Sequence, residues 1–185
     1  IGGEYALRSG ENKDVSQAIQ EHYLPHSSDD DLPMSLGGAV LAICERVDNL
    51  TGFLGMGAEI SGSFDPYGIR RNSQGLVLII KDKSLRFSLE ELFDKAIELY
   101  GSKLSVPARG LKDKIICYIK ERIEFLSGNI QPLELKEAVL SVISSDVVDI
   151  FTRISELAKI SNKRFFLEAA KVVEKWRKQT GLFWR

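Results

Sequence analysis

The chain reads as an all-α protein, and three observations carry that reading. Apolar residues recur every three or four positions in stretch after stretch, the spacing that lines one face of a helix. Helix-opening groups such as Asp65-Pro66 and Ser88 through Glu91, and helix-closing glycines such as Gly101 and Gly128, punctuate those stretches. No segment shows the sustained alternation, bounded by turn residues, that a half-buried strand requires. The predicted architecture is a set of helical bundle domains, with no internal repeat of fixed period.

Taken in order, residues 1–10 form a poorly patterned lead-in. A short helix over 11–23 places Val15, Ala18, Ile19 and His22 on one face, and Leu24-Pro25 ends it. Residues 26–31 form a polar loop whose carboxylates Asp29, Asp30 and Asp31 make a solvated tip, because no spacing like that of an EF-hand follows. A helix over 34–52 carries an apolar stripe of Leu36, Ala39, Val40, Ile43, Cys44, Val47 and Leu50. The segment 52–62, with glycines at 52, 55, 57 and 62, reads as a domain connector.

Asp65-Pro66 then opens a helix to about residue 82, with Ile69, Leu76, Val77 and Ile80 inward. Gly68 inside that helix would weaken it by roughly 0.5–1 kcal/mol relative to alanine, which points to close packing there. The capping box at Ser88 starts a helix that stops at Gly101. A helix over 108–126 buries Leu111, Ile115, Ile119, Ile123 and Leu126, and Gly128 ends it. Pro132 opens a helix to about 143, Asp146 opens one to about 160, and Ser161 caps a last one to about 180.

Composition sets the bounds. The 185 residues suffice for one large domain or two small ones, and 44% hydrophobic with 28% charged residues is ordinary globular composition. No apolar run approaches the length of a membrane span. The chain opens on Ile1 without a basic-then-apolar leader, so it is expected to be a piece of a longer product. Cys44 and Cys117 lack CxxC or Cys/His neighbours and are expected to be reduced core thiols.

The net charge of −1 conceals an asymmetry. Residues 1–69 hold three Lys/Arg against eleven Asp/Glu, whereas residues 70–185 hold twenty-two against fifteen. Such an imbalance directs attention to an anionic partner for the second half. Arg70 and Arg71 open that half, Lys163 and Arg164 follow later, and Lys171, Lys175, Arg177 and Lys178 end it. Lys171, Lys175 and Lys178 fall at i, i+4 and i+7, on one helical face that a phosphate backbone would reward through counterion release. A solvated charged face has the same pattern. Phe165, Phe166 and Trp176 are expected in the core, although aromatics here could also stack on unpaired bases.

Enzymatic chemistry finds little support. No GxxxxGK[ST] or strand-borne GxGxxG is present, and two histidines near one end cannot complete a Ser-His-Asp or Cys-His constellation. His22 reads as a packed or capping residue. Glu45 and Asp48, three apart, read as salt-bridge partners of Arg46 or Arg70.

Four blocks, in this order, carry a family resemblance. Glu21-His22-Tyr23-Leu24-Pro25 resembles E-H-Y-x-P, and Asp31-Leu32-Pro33 resembles D-x-L-P. The stretch from Ala42 to Phe53 resembles A-[LI]-A-D-K-[LM]-D-T-L-x-G-[IF]-F, and Asp65 to Arg71 resembles D-P-F-A-L-R-R. Together they are similar to the β subunit of bacterial glycyl-tRNA synthetase. The first 80 residues match specifically, and the rest matches as a helical tail.

The resemblance implies an α2β2 assembly in which the α subunit aminoacylates with ATP and Mg while the β subunit binds tRNA(Gly) in the cytoplasm. It implies the end of an HD-like helical domain at 1–63 and an anticodon-binding-type helical region over 64–185. Neither a catalytic residue nor a cofactor or metal of its own is implied for this stretch. The HD element's Asp is Glu45 here, and its paired His-Asp is absent. Two rival readings are an HD-type phosphohydrolase using His22, Glu45 and Asp48, and a helical module docking the α subunit through its acidic half.

Overall fold

The computed structural model describes residues 1–27, 29–60, 64–128, 134–142 and 145–180, with backbone alone at 134, 174 and 176–180. Among these residues there are nine α-helices and no strand: α1 (Gly2–Arg8), α2 (Lys13–Glu21), α3 (Leu36–Gly55), α4 (Ile69–Asp82), α5 (Leu89–Tyr100), α6 (Ala108–Leu126), α7 (Glu134–Ser141), α8 (Val147–Ile160) and α9 (Arg164–Thr180). The all-α expectation holds. None of these helices is long and apolar enough to cross a membrane.

The hairpin of α1 and α2 lies on α3, and α3 packs on α4. Helix α6 supports α3, α4 and α5 together, while α8 reaches α4 and carries α7 beside it. Leu50, Ile69, Leu76, Phe93, Ile115 and Ile154 belong to one continuous apolar cluster drawn from α3, α4, α5, α6 and α8. That cluster runs across residue 63. Helix α9 packs extensively against no other helix among the described residues.

Local signals set several boundaries. Ser88 accepts the Glu91 amide at 3.2 Å to open α5, and Asp146 accepts the Asp149 amide at 2.9 Å to open α8. These two caps adjoin: Ser88 and Ser145 hydroxyls lie 2.8 Å apart, and Arg86 pairs with Asp146 at 2.6 Å. Asp65 caps α4 from farther back than expected. Its two carboxylate oxygens accept the amides of Ile69 and Arg70 at 2.8 and 3.0 Å. Gly68 is therefore outside the helix, at φ 62°, where a side chain would be strained. Positive φ, with the Arg71 guanidinium lying over it, explains this glycine better than helix–helix packing does.

Other expectations are corrected. Residues 1–10 contain α1, because Ser16 Oγ donates to the Gly3 carbonyl at 2.8 Å and seats Gly3 against α2. Helix α3 continues through Gly52 and Gly55 instead of breaking into a connector. Both glycines are close approaches: a methyl group would meet the Tyr100 hydroxyl at Gly52 and Leu104 at Gly55. The α3 stripe is also rotated. Leu36 and Val40 are exposed while Ala39, Ala42, Arg46, Leu50 and Leu54 are buried. Ser161 terminates α8 rather than starting α9, its hydroxyl donating to Ala158 O at 2.9 Å. Pro132 and Ile143 lie outside the described residues.

Two polar joints hold the amino-terminal helices. Glu21 accepts the Ser35 amide and hydroxyl at 2.9 and 2.5 Å and Gln17 at 2.7 Å, while Ser35 caps α3 through the Gly38 amide. The second joint is Arg46, only 4% exposed. Its guanidinium donates to the carbonyls of Ala42, His22, Tyr23 and Pro25 at 2.9–3.3 Å. Gly75 of α4 packs on its far side, where an added methyl would sit 2.5 Å from Nε.

Gly75→Ala is expected to destabilise the chain by about 1–3 kcal/mol through overpacking against Arg46. Gly110→Ala, in open space on α6, should stabilise by about 0.4–1 kcal/mol. Urea unfolding of the two variants checks the contrast.

Burial opposes the charge on Glu21, but the bonds from Ser35 and Gln17 outweigh it and hold its pKa below the ordinary 4.5. A carboxyl lowered in the folded state stabilises above its unfolded pKa, and that contribution disappears as pH falls through the folded value. Glu21→Gln should therefore flatten the acid side of the stability–pH curve. Chemical denaturation at neutral and acid pH measures it.

Candidate nucleic-acid interface

The cations of the second half separate into engaged and unengaged groups. Lys112 pairs with Asp94 at 2.7 Å and Arg153 with Asp149 at 2.7 Å. Lys81 lies 4.4 Å above the Phe151 ring, and Lys114 and Lys120 donate to the carbonyls of Ala58 and Leu140. Lys81, Lys112 and Lys120 join one helix to another, whereas the Arg153 pair lies within α8. Among the residues singled out from sequence, Arg164 also has a partner, Glu168 at 2.7 Å, although the pair is exposed.

Arg70 and Arg71 behave differently. Both sit in the first turn of α4, Arg70 half-buried and Arg71 exposed, and neither forms an ion pair among the described residues. They line a cleft of about 310 Å³ with Gln74 and Gly75 of α4 and with Pro25 and His26 of the α2–α3 loop. The Asp65 carboxylate nearby is occupied by the two backbone amides it caps. The cleft can accept an anion through two guanidinium forks.

Lys163 is exposed at the turn between α8 and α9, and its carbonyl accepts the Phe166 and Leu167 amides. Lys171 and Lys175 are exposed one turn apart on α9 and make no ion pair among the described residues. The side chains of Arg177 and Lys178 lie outside the described residues, as do Trp176, Phe183 and Trp184. Phe165 is 63% exposed rather than core, since α9 packs extensively against no other helix among the described residues.

The acidic pair of α3 is not a salt bridge with Arg46 or Arg70. Arg46 is turned to carbonyls, and Asp48 instead accepts the Tyr100 hydroxyl at 2.9 Å. His22 donates through Nδ1 to Ile19 O at 2.6 Å, the local capping role expected of it. Among the described residues no group of three His, Cys, Asp or Glu is placed to hold a metal ion, so His22, Glu45 and Asp48 do not converge. Cys44 and Cys117 are exposed rather than buried, since each lies on the outer side of its helix.

Sequence reasoning missed the cleft's second wall and the buried charge behind it. His26 carries no motif, and the proximity of Pro25 and His26 to Arg70 depends on tertiary packing alone. The block E-H-Y-x-P was the one available signal, since it ends on Pro25.

The described chain is thus an all-helical protein with unpaired arginines in one cleft and unpaired lysines on a projecting helix. Residues 1–141 match the family model for the glycyl-tRNA synthetase beta subunit, and the chain belongs to that family. It is 38% identical over 157 residues to the glycine–tRNA ligase beta subunit of Trichlorobacter lovleyi, covering 85% of this chain and 23% of that protein. The same subunit from Geobacter sulfurreducens is 37% identical over 166 residues, covering 90% and 24%. That from Streptococcus pneumoniae is 36% identical over 166 residues, again covering 90% and 24%. The chain spans about a quarter of the length of these relatives.

Burial, followed by the hydrogen bond to Asp48 and that residue's charge, pushes the Tyr100 pKa up to about 12. A raised phenol pKa stabilises the fold below the unfolded value near 10 and loses that effect as pH rises through about 12. Tyr100→Phe should remove this alkaline dependence and cost about 1 kcal/mol at neutral pH. Ultraviolet titration and urea unfolding together check it.

Proposed function

We propose that this chain is the tRNA-binding part of a glycine–tRNA ligase β subunit, working in the cytoplasm. Residues 1–63 form the end of an HD-like helical domain, and residues 64–185 form a helical, anticodon-binding-like region. The division is one of role, since the apolar cluster crosses it. The chain contributes tRNA binding to the ATP-dependent attachment of glycine to tRNA(Gly). The aminoacylation site, with its ATP and Mg, belongs to the α subunit of an α2β2 assembly.

The observation that carries this reading is the coincidence of family membership with arginines left unpaired at the D-P-Y-G-I-R-R block. Arg70, Arg71, Lys163, Arg164, Lys171, Lys175, Arg177 and Lys178 serve as phosphate contacts. Contacts of this class position the protein on RNA and give salt-sensitive affinity without reading bases.

Changing Lys171, Lys175 and Lys178 to Glu should weaken tRNA(Gly) binding at moderate salt. It should also reduce the slope of log affinity against log salt by about one for each phosphate no longer neutralised. Filter binding across a salt series measures both, and an unchanged affinity removes α9 from the interface.

A further inference from the structure

We propose that the cleft between the α2–α3 loop and α4 is a preformed seat for a single phosphate group, gripped by Arg70 and Arg71 and charged from behind by buried Arg46. The proposal rests on the tRNA-binding reading for its biological source, a backbone phosphate, but its chemistry stands on the cleft itself. Arg70 and Arg71 reach the cleft from α4, while His26 faces it from the loop. Gly75 lines its wall and also packs directly on Arg46. A side chain at position 75 would push the buried charge away from the cleft.

Arg46 is the independent observation. Its guanidinium is buried, is bonded to carbonyls alone, and leaves Nε without a partner among the described residues. It has no carboxylate in contact among the described residues, a costly state for a buried charge. Burial opposes its charge most; attraction to Glu45 comes next and exceeds the repulsion from Arg71. Arg70 and Arg71 thus line the cleft, with Arg46 behind its Gly75 wall. Asp30 lies near the loop wall, but its oxygens accept the amides of His26 and Asp31. A phosphate in the cleft would receive bidentate donors from Arg70 and Arg71.

The cleft holds about 310 Å³, room for one phosphate with part of its attached sugar and not for a run of nucleotides. Arg46 acts through its field and never touches the anion, so it is a positioning residue.

The test titrates inorganic phosphate into the full chain at constant ionic strength, by calorimetry, with chloride as reference. One site per chain is expected, weakened about tenfold or more in Arg70→Ala and Arg71→Ala and unchanged in Lys103→Glu, an exposed lysine outside the cleft. No phosphate binding above the chloride reference, or equal binding in the arginine variants, overturns the proposal. Circular dichroism melting checks that both arginine variants remain folded. A second arm measures displacement of labelled tRNA(Gly) by phosphate: displacement that needs Arg71 identifies the RNA backbone as the source. If phosphate binding follows the arginines but tRNA does not bind, the seat stands and the tRNA reading falls. If tRNA binds and phosphate ignores the arginines, the seat alone falls.

Discussion

A single buried guanidinium organises the amino-terminal half of this protein. Just past the end of α2 the chain turns, and its carbonyls there must meet water or another donor. Arg46 supplies that donor by reaching from α3 to the carbonyls of His22, Tyr23 and Pro25. A positive charge at a helix carboxyl end also complements the helix dipole. Removing water from both partners is tolerable because nearly every guanidinium proton finds an oxygen. The joint consequently dictates which face of α3 turns inward, and it leaves Leu36 and Val40 outside.

The same joint shapes the cleft. By holding the Pro25 carbonyl, Arg46 keeps the α2–α3 loop against α4, and Gly75 lets α4 come close enough to complete the packing. Asp65 then fixes where α4 begins, so that Arg70 and Arg71 emerge in its first turn facing Pro25 and His26. Chain order, helix capping and a buried charge thus converge on one small surface. A phosphate-gripping pair placed on a rigid helix start needs little ordering on binding, which is how a shallow site gains affinity.

Much of this is legible in the sequence, and the remainder is not for definite physical reasons. Helices α5 and α8 announce themselves because capping residues open a regular apolar stripe, and α4 and α6 do so through the stripe, which points to the residues each one buries. Helix α1 has no such stripe; its stability comes from Ser16 and Gly3 across a hairpin. Gly52 and Gly55 look like breakers until Tyr100 and Leu104 arrive to fill the space a side chain would occupy. Arg46 is invisible because its partners are carbonyls, which every residue has. Arg70 and Arg71 can be read from their motif, but the loop that faces them cannot.

The charge asymmetry that points to an anionic partner turns out to be an indirect guide. Screening at physiological ionic strength acts over about 8 Å, so sums over half a chain matter less than what lies within that distance of a bound phosphate. Lys112 of α6, Arg86 of the α4–α5 loop and Arg153 of α8 are paired with carboxylates and project little field. The acidic half, conversely, contains a buried cation that no carboxylate touches among the described residues, and it lies directly behind the cleft. Local compensation, rather than net charge, decides where this protein is attractive to an anion. By that criterion the α4 cleft ranks above α9, because Lys171 and Lys175 stand separately in solvent whereas the cleft sets Arg70 and Arg71 together with Arg46 behind its wall.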